Sequence, residues 1–437
     1  MIVLVTENSR FSVKPNKSPS EFAKDPSAIE GLVNHRPLCD DAPPIEIYFP
    51  PFGQFVFNCK TIIPSPEDIS FTTNFVRKMS SFYGNEGDRK NVVLEEMKKL
   101  FLVDLWTEKI RRYNTDLSYV ENDAFILNIE VKNELGVGGD PNLQNSLYYT
   151  YYWSNCKAKP KNSLCPTILI SIAGSYIGIS GGIYPKKFVC EPLTAIFPLL
   201  WLPRRSFMDD LARIFSSLKT LFVNTREYYK VLPSNLDQRR IHFPTFEFGS
   251  KKNSLLPISN FVFEKQVTSF VFEGKYKSQR AILKFARKYS VDAHKFCYQN
   301  GFAPEIFFFY DWNSEWKVIC TQFVEGKEWD NLSRPQKESG IDILDRNIQK
   351  LHEESFVHGD LRDCNIIFVL DDHGHNCSSV QLIDFDWSGK ENETFYPFFV
   401  NTFSVKWHRG VQSGKQIEKD HDTFWLNFLR DDIKVSS

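Results

Sequence analysis

Hydrophobic positions change period several times along this chain, and the changes divide it. Residues 1–65 are rich in Pro, Ser and Asn, with short aromatic runs such as Tyr48-Phe49-Pro50-Pro51-Phe52. They predict an irregular N-terminal segment with a few short elements. From Pro66 the spacing turns helical. Pro66-Glu67-Asp68 makes a good first turn, Asn74–Phe82 continues it, and a second helix is expected over Val92–Ile110. The period then drops to that of strands at Leu117–Tyr119 and Phe125–Val131, around a turn at Glu121-Asn122-Asp123. A Gly-rich loop (136–139) leads into a helix over Pro141–Trp153, with Pro suited to its first turn. Strands follow at Thr167–Ala173, Tyr176–Ile179 and Lys187–Cys190, then a helix at Asp209–Tyr228 and a linker at Leu232–Asn235.

Beyond the linker, residues 243–323 read as strand, strand, helix, strand, and from Ile341 the pattern is mainly helical. Two short apolar runs, Ile366–Phe368 and Val380–Ile383, then flank a polar turn over Asp371–Ser379. The boundaries implied are 1–65, 66–232 and 240–437.

Composition adds limits. The 437 residues are 42% hydrophobic and 15% aromatic, with 39 Phe, enough for sizeable cores. A net charge of -1 provides no overall basic field, so any nucleic-acid contact must come from a local patch. The nine cysteines are widely spaced with no C-x-x-C pair, which argues against a disulfide framework or structural zinc and for a reducing compartment. The N-terminal apolar run is short for a signal peptide, and no run is long enough to span a membrane. The sequence does not specify an oligomeric state.

The most informative stretch is Val357-His358-Gly359-Asp360-Leu361-Arg362-Asp363-Cys364-Asn365, followed by Leu382-Ile383-Asp384-Phe385-Asp386. An Asp, an Asn five residues on and an Asp closing an apolar run are what ATP chemistry with Mg2+ requires. One carboxylate orients the attacking hydroxyl, and an amide and a second carboxylate hold the metal against the phosphates. A hairpin would carry Asn365 and Asp384 to one end of a sheet. The roles expected are Asp360 as acceptor of the hydroxyl proton, Asn365 and Asp384 as metal ligands, and His358 as a brace for the loop. Lys284, at the end of the apolar Ala281-Ile282-Leu283, would reach the ATP phosphates. Asp292 would pair with it, and Glu325 lies in a hinge-like Gln322–Gly326 segment. Asp422 would anchor the catalytic-loop backbone. Residues 264–274 contain only Gly274, so the usual glycine-rich phosphate loop is missing.

A second constellation lies earlier. Asp116 stands at the foot of one strand, and Glu130 and Lys132 lie two apart on the next, so they share a face. Two carboxylates with a neighbouring ammonium can bind a divalent metal, activate water and stabilise charge on a phosphate. Gln144, on the helix that follows, would support them, with Tyr148 four residues on along the same helical face. Glu95 or Glu96 would complete the acidic cluster. A solvated strand face with alternating charge is the plainer alternative.

His358-Gly359-Asp360-Leu361 with Asn365, and Leu382–Gly389, resemble the kinase-like fold shared by protein kinases and small-molecule phosphotransferases. Together with Tyr396-Pro397, Asn401, Trp407, Val411, Gly414 and Lys419–Asp422, they look like the kinase-like domain of fungal Crinkler-type proteins. Ile129–Gly136, Gly138-Gly139, Asp140-Pro141, Gln144, Ile172-Ala173-Gly174 and Ala212–Phe215 are similar to the restriction-endonuclease-like PD-(D/E)XK domain that precedes it there. The resemblance implies an α/β and α+β chain: a restriction-endonuclease-like domain, then a two-lobed protein-kinase-like domain. It further implies an effector or toxin acting inside cells, in the nucleus or cytoplasm, with double-stranded DNA as one target and a protein or small molecule as phosphate acceptor. The missing glycine loop and Asp292 in place of the usual Glu keep a non-catalytic binding role open.

Overall fold

The computed structural model describes residues 32–35, 42, 44–155, 163–202, 206–232, 243–244, 260–312 and 316–435. They fall in two compact units, Met1–Ser254 and Leu255–Ser437. The expected linker beyond Leu232 lies outside the described residues.

The first unit is mixed α/β. A short strand, β1 (Leu32–Val33), precedes two helices, α1 (Ile45–Tyr48) and α2 (Pro50–Thr61). The aromatic run expected to be irregular is therefore largely helical. Phe49, Phe52 and Phe55 are buried, and burial of that area outweighs the weak helical propensity of the segment. Helix α3 (Pro66–Met79) starts with a capping box between Ser65 and Asp68. Helix α4 (Glu86–Phe101) starts and stops earlier than the sequence predicts. Asn85 caps its first turn, and Leu102 leaves it in the left-handed region, at φ 55°. Residues to Ile110 instead form the small hairpin β2 (Lys109–Ile110) and β3 (Tyr113–Asn114).

Strands β4 (Leu117–Glu121) and β5 (Ala124–Lys132) form a hairpin whose two turn residues, Asn122 and Asp123, both have positive φ. That is the twist a two-residue hairpin turn needs, and Asn and Asp tolerate it. Helix α5 (Pro141–Asn155) crosses over to β6 (Thr167–Ala173), which pairs parallel with β5. Strands β7 (Tyr176–Ile183), β8 (Phe188–Pro192) and β9 (Phe197–Pro198) complete a seven-stranded mixed sheet of order β1-β8-β7-β6-β5-β4, with β9 on β7. Helix α6 (Phe207–Lys230) closes the unit against α2 and α3. Strand β5 lies inside this sheet, and all nine of its residues are buried.

The second unit opens with five antiparallel strands, β10 (Phe261–Gln266), β11 (Val271–Tyr276), β12 (Gln279–Ala286), β13 (Ile306–Trp312) and β14 (Trp316–Gln322), in the order β10-β11-β12-β14-β13. Helix α7 (Val291–Gln299) lies between β12 and β13. The sequence predicts three strands here; one turn it does not mark is the β11–β12 turn, Lys277-Ser278, which has positive φ at both residues without Gly or Asn to advertise it. Helix α8 (Arg334–Glu353), strand β15 (Phe356–Val357), the hairpin β16 (Ile366–Leu370) with β17 (Cys377–Leu382), strand β18 (Gly389–Lys390) and helix α9 (Lys419–Val435) follow. Leu344, Ile348, Phe368, Val380, Leu382, Leu426 and Leu429 form much of one core between α8, α9 and the β16–β17 hairpin. No helix among the described residues is long and apolar enough to cross a membrane.

Candidate functional sites

In the second unit, the register of β16 with β17 pairs Ile366 with Leu382. The residues just outside that pair are Asn365 and Ile383, and the Ile383 N–H donates to the Asn365 carbonyl at 3.0 Å. The hairpin therefore brings Asn365 and Asp384 to the same end. Asn365 Nδ2 donates to the Asp360 carbonyl at 2.9 Å, closing the loop on itself. Asp422, fully buried at the start of α9, accepts from the His358 N–H at 2.8 Å and the Gly359 N–H at 2.9 Å. Burial works to raise its pKa, but His352, His358 and the His358 N–H together bring it below the usual carboxylate range. The His358 ring reaches the Ile383 carbonyl at 3.1 Å.

Lys284 sits within β12. Its Nζ lies 2.5 Å from Asp384 Oδ1 and 2.8 Å from Asp386 Oδ1, the second contact poorly aligned for a hydrogen bond. Burial opposes the charge on Lys284, but the two carboxylates overcome it and raise its pKa. Burial likewise raises both carboxyls. The ammonium more than offsets this at Asp384, which ends below its ordinary value, but not at Asp386, which is pushed up to about 7. Asp384 itself has φ 65°, in the left-handed region. A cavity of about 420 Å³ opens beside these groups, lined among others by Thr268, Lys284, Arg287, Lys288, Asp384 and Asp386.

Two expected members are not brought in. Asp292 is exposed, because α7 turns Ala293, His294 and Cys297 inward and position 292 outward. Glu325 is exposed beyond β14 and pairs with Arg280 at 2.6 Å rather than with a site residue. Gly274 is no phosphate glycine either. It lies in β11 opposite a bulge in β10, where a Cβ would fall 2.1 Å from the Val262 carbonyl oxygen. The β10–β11 turn, 267–270, contains no glycine.

The residues present suit Mg2+: a carboxylate from Asp384 and an amide oxygen from Asn365 are the hard oxygen donors this ion takes. Bound there, it would neutralise charge on the phosphates. What the chain itself supplies is a loop held by Asp422, a buried ammonium at Lys284, and the side chain of Asp360. Asp360 is gripped by a residue to which the sequence reading assigns no role, Arg362, with Nε at 2.5 Å from Oδ1 and Nη2 at 2.7 Å from Oδ2. Arg362 and Asp386 each stand two residues past a motif Asp, and that spacing is their one sequence signal.

In the first unit, Glu130 and Lys132 are only 2% and 7% exposed, which removes the solvated-face alternative. Glu130 Oε1 accepts from the Asp116 N–H and from Asn128 Nδ2, each at 3.2 Å. Asp116 Oδ2 accepts from the Val131 N–H at 2.9 Å. Burial raises the Glu130 carboxyl well above the usual range, the Asp116 carboxylate adds to the rise, and Lys132 opposes it. Two carboxyl groups are few ligands for a divalent cation, so the pair fits one that keeps most of its water. Among the described residues no cluster of three or more His, Cys, Asp or Glu is placed to hold a metal.

Gln144 is buried, with Nε2 at 3.5 Å from the Gly138 carbonyl, and Tyr148 donates to the Asn114 carbonyl at 2.7 Å. The expected third carboxylate fails. Glu95 is exposed, and Glu96 faces away into a separate network with Asn74, Lys78 and Lys99. Helix α4 instead presents Glu86 and Lys90, one turn apart. Glu86 lies 3.4 Å from Lys132 Nζ, and Lys90 Nζ lies 3.3 Å from Asp116 Oδ1.

No protein-family model and no curated protein matches the chain. Among solved structures, it is similar to the kinase PK-1 of Cydia pomonella granulovirus, with a TM-score of 0.34 and 16% identity over 41% of this chain and 70% of that one.

Proposed function

We propose that the second unit is a kinase-like phosphotransferase that uses ATP and Mg2+. One observation carries the reading: a single hairpin and one buried carboxylate, Asp422, fix Asp360, Asn365 and Asp384 at one end of the β16–β17 sheet, with Lys284 on Asp384. Asp360 takes the acceptor's proton, Lys284 holds phosphate oxygens, and Asn365 and Asp384 hold the metal. The acceptor is a protein or a small molecule, and labelled ATP offered with both would separate them. Asp384→Ala should abolish Mg2+-dependent ATP binding and turnover. Unchanged ATP chemistry in that variant would sink the assignment.

A second reading concerns the first unit. Glu130 and Lys132 are buried on an inner strand with the half-buried Asp116 beside them, an arrangement that favours a metal-dependent nuclease acting on double-stranded DNA. Mg2+-dependent cleavage by the wild type but not by Lys132→Ala supports it; no cleavage by either leaves this unit a binding module. Together the two readings describe an effector-like chain in which phosphotransfer gates cutting, and cutting that is identical with and without ATP would remove that coupling.

A further inference from the structure

We propose that Asp386 is the residue that positions Lys284, in place of a carboxylate on the helix after β12, and that it does so independently of metal. The inference rests on the phosphotransfer reading and adds a positioning residue to it.

Lys284 has two carboxylate neighbours, Asp384 at 2.5 Å and Asp386 at 2.8 Å, and both flank Phe385. Helix α7 contributes neither. Its acidic residue, Asp292, is exposed, and the inward position two residues along is His294. That ring cannot serve Lys284, because its nitrogens are engaged elsewhere: Nδ1 lies 2.5 Å from the Tyr289 hydroxyl and Nε2 lies 2.8 Å from the Pro304 carbonyl. It stacks instead on Phe385, with ring centres 4.4 Å apart and planes 14° apart. The Ser290 N–H also donates to the Phe385 carbonyl at 3.0 Å. The helix is thus tied to residue 385 by stacking and a backbone bond, and the ion pair is supplied from either side of 385.

In the phosphotransfer reading the metal claims Asp384. A buried ammonium left with that carboxylate alone would compete with the metal for it, whereas a second acidic partner at 2.8 Å keeps Lys284 in place. Asp386 is that partner. It follows that α7 is coupled to the site through an aromatic stack rather than an ion pair.

The test is equilibrium binding of ATP to the full chain, in EDTA and in Mg2+. The expected result is that Asp386→Asn weakens ATP binding about tenfold in both conditions, as loss of a charged contact does, while Asp292→Asn changes it less than about twofold. Asp386→Glu should recover part of the loss. If Asp386→Asn lowers the unfolding temperature, Asp386→Ser is judged by the same criterion. A loss confined to Mg2+ makes Asp386 a metal ligand and overturns the proposal. So does wild-type binding that vanishes in EDTA, an unaffected Asp386→Asn, or an equal loss in Asp292→Asn. A wild type that binds no ATP under either condition instead removes the phosphotransfer reading itself.

Discussion

Arg362 grips both carboxylate oxygens of Asp360, at 2.5 and 2.7 Å, and its guanidinium lies 5.3 Å from the centre of the Trp407 ring. The planar fork matches a carboxylate, and the contact raises the Arg362 pKa further. Asp360 is thereby held in one orientation, while its backbone carbonyl is fixed by Asn365. Asp360→Asn removes the proton acceptor and keeps the shape. Turnover should fall about 10²–10⁴-fold, the range of a lost general base, with ATP affinity unchanged within about twofold. Single-turnover kinetics beside an ATP titration checks both. A variant with normal turnover would take Asp360 out of the chemistry.

The ion pair between Lys90 and Asp116 sets a different expectation. Lys90 competes with any cation for Asp116, and the pair is partly open to solvent, with side chains 27% and 17% exposed. Such a pair is worth ~1 kcal/mol at most, so Lys90→Met should tighten Mn2+ binding by up to about fivefold. Calorimetric titration of Mn2+ alone reads this without DNA. Binding that weakens in the variant would mean that Lys90 supports the metal site rather than guarding it.

Much of this was legible in sequence, for reasons specific to particular residues. The β16–β17 hairpin announces itself through short apolar runs around a polar turn, and that hairpin places Asn365 beside Asp384. Asp116, Glu130 and Lys132 follow from the alternation of strand residues, which puts 130 and 132 on one face. What failed depends on which side of a helix turns inward. Asp292 and His294 differ by two positions, about half a turn, and only packing against Phe385 decides between them. The same holds for Glu96, whose face of α4 meets α3 rather than β5. The turn at Lys277-Ser278 carries no glycine, so nothing in its residues marks a hairpin there.

Gly274→Ala separates a structural glycine from a phosphate-binding one. The new methyl would lie 2.1 Å from the Val262 carbonyl oxygen, so β10 must shift. Overpacking of this kind costs about 1–3 kcal/mol, enough to lower the unfolding temperature by several degrees. ATP affinity of the folded fraction should hold. Loss of ATP binding without loss of stability would return Gly274 to the nucleotide site.

His294 makes a prediction about pH. Burial lowers its pKa from 6.5 to about 4, outweighing the Pro304 carbonyl, while His358 nearby lowers it further. The folded state therefore holds this ring neutral where the unfolded chain would protonate it. Its contribution to stability is complete above pH 6.5 and is lost progressively as pH falls towards 4. The shift is worth ~3 kcal/mol at full span. His294→Phe keeps a ring against Phe385 and cannot titrate. Other titrating groups, Asp386 among them, are common to both proteins, so the informative quantity is the difference between the two unfolding profiles. Between pH 6.5 and 4 the wild type should lose more stability than the variant, measured as unfolding temperature across that range. Parallel profiles would show that His294 accepts its proton without disturbing the stack.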